Sequence, residues 1–421
     1  MRLVERYVID KNHKFYKECD DLAWRSKNLY NYCNYLVRQS FIKEGIYQDN
    51  CKLYPQVKGH EAYKALPAKV SNQVLMSLHR NWKGFFEAIK EWTKHPDKFL
   101  GKPNLPKYKD KLKGRFCVVY EKGAISKPGL KKGLVILSKT SISLPTKCQN
   151  VQQARIIPRC GQYVIEVVYQ VEAQQIELNS ELVAGVDIGL NNLCAVSSNL
   201  EGVNPLLING RPLKAINQYY NKEKARLQSL LRGKAQTSKR IQQLSAKRGN
   251  QVDSYFHKAS RLVINHLLKH KIGTLVIGKN ELWKQESRMG KRNNQNFACI
   301  PHARFVEMLQ YKCELVGIKV VLTEESFTSK SSFFDNDPIP TYGKGDSSQV
   351  KFSGKRIKRG LYRSANGTIL NSDVHGALNI IRKVFPTTFS QGIVGVAVRP
   401  IRVTPDKVKK LKLTVAETTE G

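Results

Sequence analysis

Residues Leu3 to Ile9 alternate apolar and polar side chains with the two-residue period of a strand. The spacing then lengthens to three or four residues, which predicts helices over about Lys14 to Lys43 and about Ser71 to Lys94. In the second helix Val74, Leu75, Leu78, Trp82, Phe85, Phe86, Ile89 and Trp92 form one stripe, and Ser71 stands where a capping hydroxyl is expected. The stripe reads as core packing. The opposite face carries Arg80, Lys83, Lys90 and Lys94, either a solvated surface or a row of phosphate contacts.

From Gly101 to about Glu172 the chain turns to short β-branched runs broken by Gly and Pro: Phe116 to Tyr120, Gly133 to Leu137, Ser141 to Leu144, Ala154 to Ile157 and Tyr163 to Val171. Evenly spaced strands of this kind predict a small β-barrel, with lysines at its turns around Lys122, Lys127, Lys131 and Lys132. Ala173 to Glu181 reads as a connector. Beyond it, Arg211 to His270 reads as long basic helices whose apolar positions (Leu227, Ile241, Val252, Phe256, Ala259, Val263) suit helix packing.

Three acids break this pattern where carboxylates are costly. Asp187 interrupts an apolar strand that turns back at Gly189 and two Asn residues into a second strand, and a carboxylate there needs a partner or a metal unless it merely caps the turn. Asp373 stands at the start of a helix whose face is Ala377, Leu378, Ile380 and Ile381, a position that also suits an ordinary helix cap. His375 and Asn379 beside it read as packing or supporting residues. The apolar run Gly317 to Leu322 ends in Glu324 and Glu325, of which only one can face a given side if the strand persists. Three carboxylates so placed suit a pair of hard cations, Mg²⁺ or Mn²⁺, in phosphodiester hydrolysis, with 5′-phosphate and 3′-hydroxyl products expected.

Charge narrows the partner. The 421 residues include 71 Lys and Arg against 34 Asp and Glu, a formal charge of +37, which points to a polyanion. A membrane surface is the rival, but no apolar run approaches the length of a spanning helix and the first residues read as a strand rather than a signal peptide, so a cytoplasmic protein is expected. The nine cysteines are scattered with no C-x-x-C pair, which argues against a disulfide framework and against structural zinc, and suits small buried side chains. No Gly-rich phosphate loop of the P-loop kind is present.

The stretches GVDIGLNN (185–192), TEESFTSKSSF (323–333) and SDVHGALNIIRK (372–383), joined by NELWKQESRMGKRNNQNF and YKCELVGIKVV, resemble the split RuvC nuclease of the TnpB proteins of insertion sequences, relatives of type V CRISPR effectors and of Fanzor nucleases. The resemblance implies an α/β multidomain protein with a ribonuclease-H-like (RuvC) core and an N-terminal β-barrel wedge domain interrupted by a helical recognition lobe. Its implied boundaries are a first wedge strand at 1–10, the lobe at 11–100, the barrel at 101–175, the nuclease at 182–330 with a helical insertion at about 211–270, a nucleic-acid-binding insertion at 331–370, the rest of the nuclease at 371–385 and a tail at 386–421. It implies an RNA-guided DNA endonuclease of a mobile element in a bacterial, nucleoid-associated setting, with guide RNA and target duplex DNA as partners and two divalent cations on Asp187, Glu325 and Asp373; the alternatives are a nuclease-inactive RNA-guided binder and a transposase acting directly on element ends. Contacts to nucleic acid are expected at Arg80, Lys83, Lys90, Lys122, Lys351, Lys355, Arg356, Lys358 and Arg359.

Two departures stand out against that resemblance. Gly278 ends the strand Thr274 to Gly278, where typical members carry the second catalytic glutamate. Some relatives use a displaced glutamate just upstream of a TSK-like segment, which favours Glu325 over Glu324, and both over Glu281. The interval 331–370 also holds Ser331 and Ser332 but no cysteine, where relatives carry a zinc ribbon, so no structural zinc is expected.

Overall fold

The computed structural model describes residues 1–408 apart from 175, 234, 280–290, 342–349 and 390–398, and the side chains of 291–293 and 296 are likewise not described. The chain divides into two units, Met1–Val171 and Glu172–Gly421.

In the first unit, strand β1 (Arg2–Ile9) leads into helix α1 (Tyr16–Glu44), which Gly45 ends in the left-handed conformation that glycine adopts without steric cost. Two short helices, α2 (Asn50–Val57) and α3 (Glu61–Lys64), precede α4 (Ala68–Lys94). The predicted cap at Ser71 is corrected: α4 starts earlier, after Pro67, and the Ser71 hydroxyl donates instead to the Tyr63 carbonyl at 2.7 Å. Then come β2 (Val118–Glu121), α5 (Lys127–Lys131), β3 (Leu134–Ile136), β4 (Ser143–Pro145), β5 (Val151–Arg159) and β6 (Gln162–Gln170).

These strands do not close a barrel. They form an open antiparallel sheet in the order β1-β6-β5-β2 and a separate β3-β4 pair. The reason is what covers the sheet. A barrel closes to bury its own interior, whereas here α1 packs on β5 and β6 and α4 on β2, so the helices supply the burial and β1 and β2 remain as edges. Ile9, Tyr120, Ile156 and Ile165 share one core with Leu29, Leu78 and Trp82.

The second unit is built on β7 (Asn179–Ile188), β8 (Asn192–Ser198), β9 (Leu206–Asn209), α6 (Arg211–Ser229), α7 (Lys239–Lys269), β10 (Ile272–Gly278), α8 (Lys291–Cys299), α9 (His302–Glu314) and β11 (Lys319–Thr323). A small three-stranded sheet follows, β12 (Lys355–Lys358), β13 (Leu361–Arg363) and β14 (Ile369–Asn371), then α10 (Ser372–Val384) and β15 (Ile401–Val403). The large sheet runs β11-β10-β7-β8-β9-β15. Its first three strands in chain order pair antiparallel and β10 and β11 join β7 in parallel, the order of a ribonuclease-H-like core.

Strand periodicity sorts this sheet into two faces. Ala184, Val186, Ile188, Leu275 and Ile277 join a core with Phe256, Val263, Phe305 and Leu309 of α7 and α9. Val183 and Val276 pack instead with Ile380 and Ile381 of α10. Among the described residues no helix is long and apolar enough to cross a membrane. Of the cysteines, Cys19, Cys33, Cys194 and Cys313 are buried as expected, while Cys51 and Cys160 are exposed.

Candidate active site

Alternation along β7 places Asp187 on the face that carries Val183 and Gly185, beneath α10. Glycine is required at the first point of contact, where a Cβ on Gly185 would collide with the Ala377 carbonyl, and it gives clearance at the second, where a Cβ on Gly376 would lie 2.6 Å from Asp187 Oδ2 and press on that carboxylate. The missing side chains let α10 settle directly onto β7 and bring its first turn to the carboxylate.

Asp373 lies in that first turn but does not cap it. The cap is Asn371, whose Oδ1 accepts from the amides of Asp373 (3.0 Å) and Val374 (3.2 Å). The Asp373 carboxylate is thereby freed from capping, and its Oδ2 accepts from Asn192 Nδ2 at 2.7 Å. Asn192, read from the sequence only as a turn former, is 5% exposed and ties the β7–β8 hairpin to α10. Its role left no signal beyond a second Asn after Gly189.

Glu325 follows β11 by two residues. A Cβ on Gly278 would meet Glu325 Oε2 at 2.8 Å, so the Glu325 side chain fills the space in which a side chain at position 278 would begin. Glu324 diverges: its carboxylate pairs with Lys383 of α10 and accepts from the Ser326 amide at 2.6 Å. Of the two neighbouring acids, Glu325 lies beside the end of β10 and Glu324 is tied up by its own partners. Glu281 lies outside the described residues.

Electrostatics couples the three acids. Desolvation pushes the half-buried Asp187 carboxyl well above the usual carboxylate range, the negative charges of Asp373 and Glu325 push it further, and Arg356 opposes them. Burial also raises Glu325 to about 7, with the charge of Glu324 adding to the rise and Lys383 offsetting it. Arg356, on β12, reaches this corner through a 2.9 Å hydrogen bond to Ser372 Oγ. Among the described residues, no three His, Cys, Asp or Glu side chains stand close enough together to ligate a single ion.

His375 and Asn379 face away from this cluster. The Phe333 amide donates to His375 Nε2 at 3.2 Å, the ring stacks on Tyr362, and Asn379 Nδ2 donates to the carbonyls of Thr328 and Ser331. Both hold the segment that follows Glu325. The basic candidates are exposed: Arg80, Lys83 and Lys90 along α4, Lys122 after β2, and Lys351, Lys355, Arg356, Lys358 and Arg359 on and around β12.

Residues 166–284 match the family model described as a probable transposase, OrfB_IS605, and residues 302–380 match the Cas12f1-like TNB domain. A curated relative, the CRISPR-associated endodeoxyribonuclease Cas12f2 of Micrarchaeota archaeon (strain CG1_02_47_40), is 25% identical over 242 residues, 54% of this chain and 42% of that protein; the chain thus matches less than half of its relative's length. Among solved structures, the Cas12f1–sgRNA–target DNA complex aligns with a TM-score of 0.52 at 13% identity, over 87% of this chain and 82% of that one, which speaks to a shared fold. The mini-RNA-guided endonuclease Cas_phi3 aligns at a TM-score of 0.43 and 11% identity, over 91% and 92%. With a ribonuclease-H-like sheet beneath these matches, the findings support a likeness to TnpB-type proteins and to the type V effectors.

Proposed function

We propose that the chain is an RNA-guided DNA endonuclease of a transposable element, cutting at a RuvC-type site formed by Asp187, Glu325 and Asp373. The observation that carries this is the convergence of the three acids: a half-buried Asp187 that faces the α10 turn carrying Asp373, its carboxyl raised by desolvation and by the charges of Asp373 and Glu325, with Arg356 as the opposing cation. All the donors are carboxylate oxygens and negative charge is in excess, a set that fits hard divalent cations such as Mg²⁺ or Mn²⁺. Two such ions, when bound, would supply Lewis acidity toward the scissile phosphate and its leaving oxygen.

The chain's own residues set the geometry. Asn192 fixes one oxygen of Asp373, while the other takes a long 3.4 Å bond from Ser372 Oγ that a cation can displace. The clearance at Gly376 keeps Asp187 facing the first turn of α10. Glu325, pushed up to about 7 by desolvation, would help hold a divalent cation, which when bound would favour its ionised form at neutral pH. On this reading the exposed Arg356, beside the same turn of α10, supplies a cation for a phosphate oxygen. The partners on this reading are a guide RNA and a target duplex DNA, and the +37 charge suits a protein that grips a heteroduplex by its backbone.

The test is to purify the full chain from its native locus, sequence the co-purifying RNA, and assay cleavage of a matching duplex with and without Mg²⁺. Asp187→Asn, Asp373→Asn and Glu325→Gln each lower cleavage by about 10² or more with DNA binding retained, while Glu324→Gln changes it little. Near-normal cutting by Glu325→Gln removes it from the site. The probable-transposase description of the family model favours a second reading, direct action on element ends with the same acids. Strand joining without any RNA would establish that one.

A further inference from the structure

A cleft of about 450 Å³ opens in the first unit, on a side of α4 that no catalytic assignment uses. One wall is Arg80, Asn81, Gly84, Phe85 and Ala88 of α4; the other is the extended strap Pro103 to Lys109, with Tyr30 of α1 between them. The strap is fixed to α1 by its backbone: Asn31 exchanges two hydrogen bonds with Lys109 at 2.8 and 2.9 Å, and Asn34 and Arg38 both donate to the Pro106 carbonyl. The cleft is therefore a formed feature, with both walls and its floor held. Asn81 Nδ2 donates to the Tyr30 hydroxyl at 3.0 Å, and Lys109 Nζ stands 5.3 Å from the centre of the Tyr30 ring.

Two features of the lining point to an occupant. Its charged side chains are Arg80, Lys107 and Lys109, with no acid among the lining residues. Gly84 sits in the middle of a 27-residue helix, where it costs roughly 1 kcal/mol relative to alanine. A Cβ there would meet nothing within 4 Å, unlike those on Gly185 and Gly376, so no protein contact accounts for the glycine. What the missing side chain preserves is the open space of the cleft.

We infer that this cleft holds a nucleotide of a nucleic-acid strand, with its phosphate drawn to Arg80, Lys107 and Lys109 and its base or sugar passing over Gly84 toward Phe85. The volume falls in the range of small-molecule sites, a few hundred Å³, rather than of a duplex groove. Cations beside an aromatic ring are the common means of gripping a strand without reading its sequence. The inference stands apart from the cutting reaction, since it requires a nucleic-acid partner and not a working nuclease.

Because a chain of this charge binds polyanions at many places, the experiment must report from the cleft itself. Full-length protein is acetylated with a lysine-reactive ester, alone and with single-stranded RNA, single-stranded DNA or duplex DNA, and Lys107 and Lys109 are followed by mass spectrometry. The expected result is at least fivefold protection by one nucleic acid, the arm that protects naming the source. Gly84→Leu should abolish this protection while leaving that of Lys355 and Lys358 unchanged, and Gly84→Ala, which adds one methyl and favours the helix, should retain most of it and confirm that the fold tolerates substitution. Equal acetylation in all arms, or full protection in Gly84→Leu, overturns the assignment.

Discussion

At the scale of single residues, the candidate site is defined as much by side chains that are missing as by those present. Glu325 Oε2 lies 2.8 Å from where a Cβ on Gly278 would stand, and Ile380 Cδ1 lies 2.6 Å from the same point, so the two positions compete for one space. Gly278→Glu alone should therefore lower cleavage at least tenfold, because the new side chain displaces Glu325. Placed in a Glu325→Ala background, the same substitution should recover part of the lost activity, since a carboxylate then extends from the end of β10 into vacated space. A double variant no more active than Glu325→Ala would show that the positions are not exchangeable. Gly376→Ala makes a second, sharper test. Alanine favours a helix by about 1 kcal/mol, so stability should hold or rise slightly, while pressure on Asp187 lowers cleavage about tenfold or more. Thermal melting and cleavage measured on one preparation separate the two effects.

Helices and strands show what the sequence could and could not convey. The pattern around Asp187 was legible because a hairpin and its buried face are set by neighbours in the chain, and the helix at Asp373 by its own spacing. Only the family resemblance drew attention to Gly278 and Glu325 together; their proximity spans β10 and the loop after β11 and leaves no local pattern. The barrel was misread for the same reason: strand spacing reveals strands, not whether they close, and here α1 and α4 take over the burial. Along α10, His375, Asn379, Arg382 and Lys383 recur at helical spacing and bind the segment 326–340. Arg382 alone donates to the Asp337 carbonyl at 2.6 Å and to Asn336 Oδ1 at 2.9 Å. Arg382→Met should destabilise the protein by about 2 kcal/mol, since a buried carbonyl loses its donor, and should speed limited proteolysis within 326–340; an unchanged digestion pattern would show that the stripe does not anchor this segment.

Element packing also buries a cation. Lys312 of α9 is 4% exposed and donates to Ser260 Oγ at 2.6 Å and the His257 carbonyl at 2.9 Å, both on α7. Burial, aided by the charge of Arg261, pushes its ammonium down to about 7. The unfolded chain, at about 10.4, then holds a proton that the folded chain has released, so this group's contribution to stability rises with pH above about 7 and is most unfavourable below it. Lys312→Met removes the penalty along with two hydrogen bonds. The stability difference between variant and parent should be greatest near pH 6 and shrink by roughly 1–2 kcal/mol by pH 9, which chemical denaturation at a series of pH values measures. A pH-independent difference would mean that Lys312 keeps its proton.

Across the whole molecule the cationic excess acts as a field rather than as a set of bonds. The surplus of 37 positive charges is far larger than a soluble fold requires, and its exposed members occur both on α4 in the first unit and around β12 in the second. If affinity for nucleic acid comes mainly from phosphate neutralisation, the logarithm of the binding constant falls linearly with the logarithm of salt concentration. A protein that neutralises six to ten phosphates loses about 10³- to 10⁵-fold in affinity between 50 and 200 mM salt. Replacing Lys355 and Lys358 with Ala should reduce the slope by about one for each phosphate left without its cation and weaken matched and unmatched targets alike, because a backbone contact carries no sequence information. Discrimination between matched and unmatched targets should then survive the double variant undiminished, since on the guided reading base pairing and not the protein carries the sequence. Loss of discrimination together with affinity would instead locate sequence reading in the β12 region, and would count against an RNA guide.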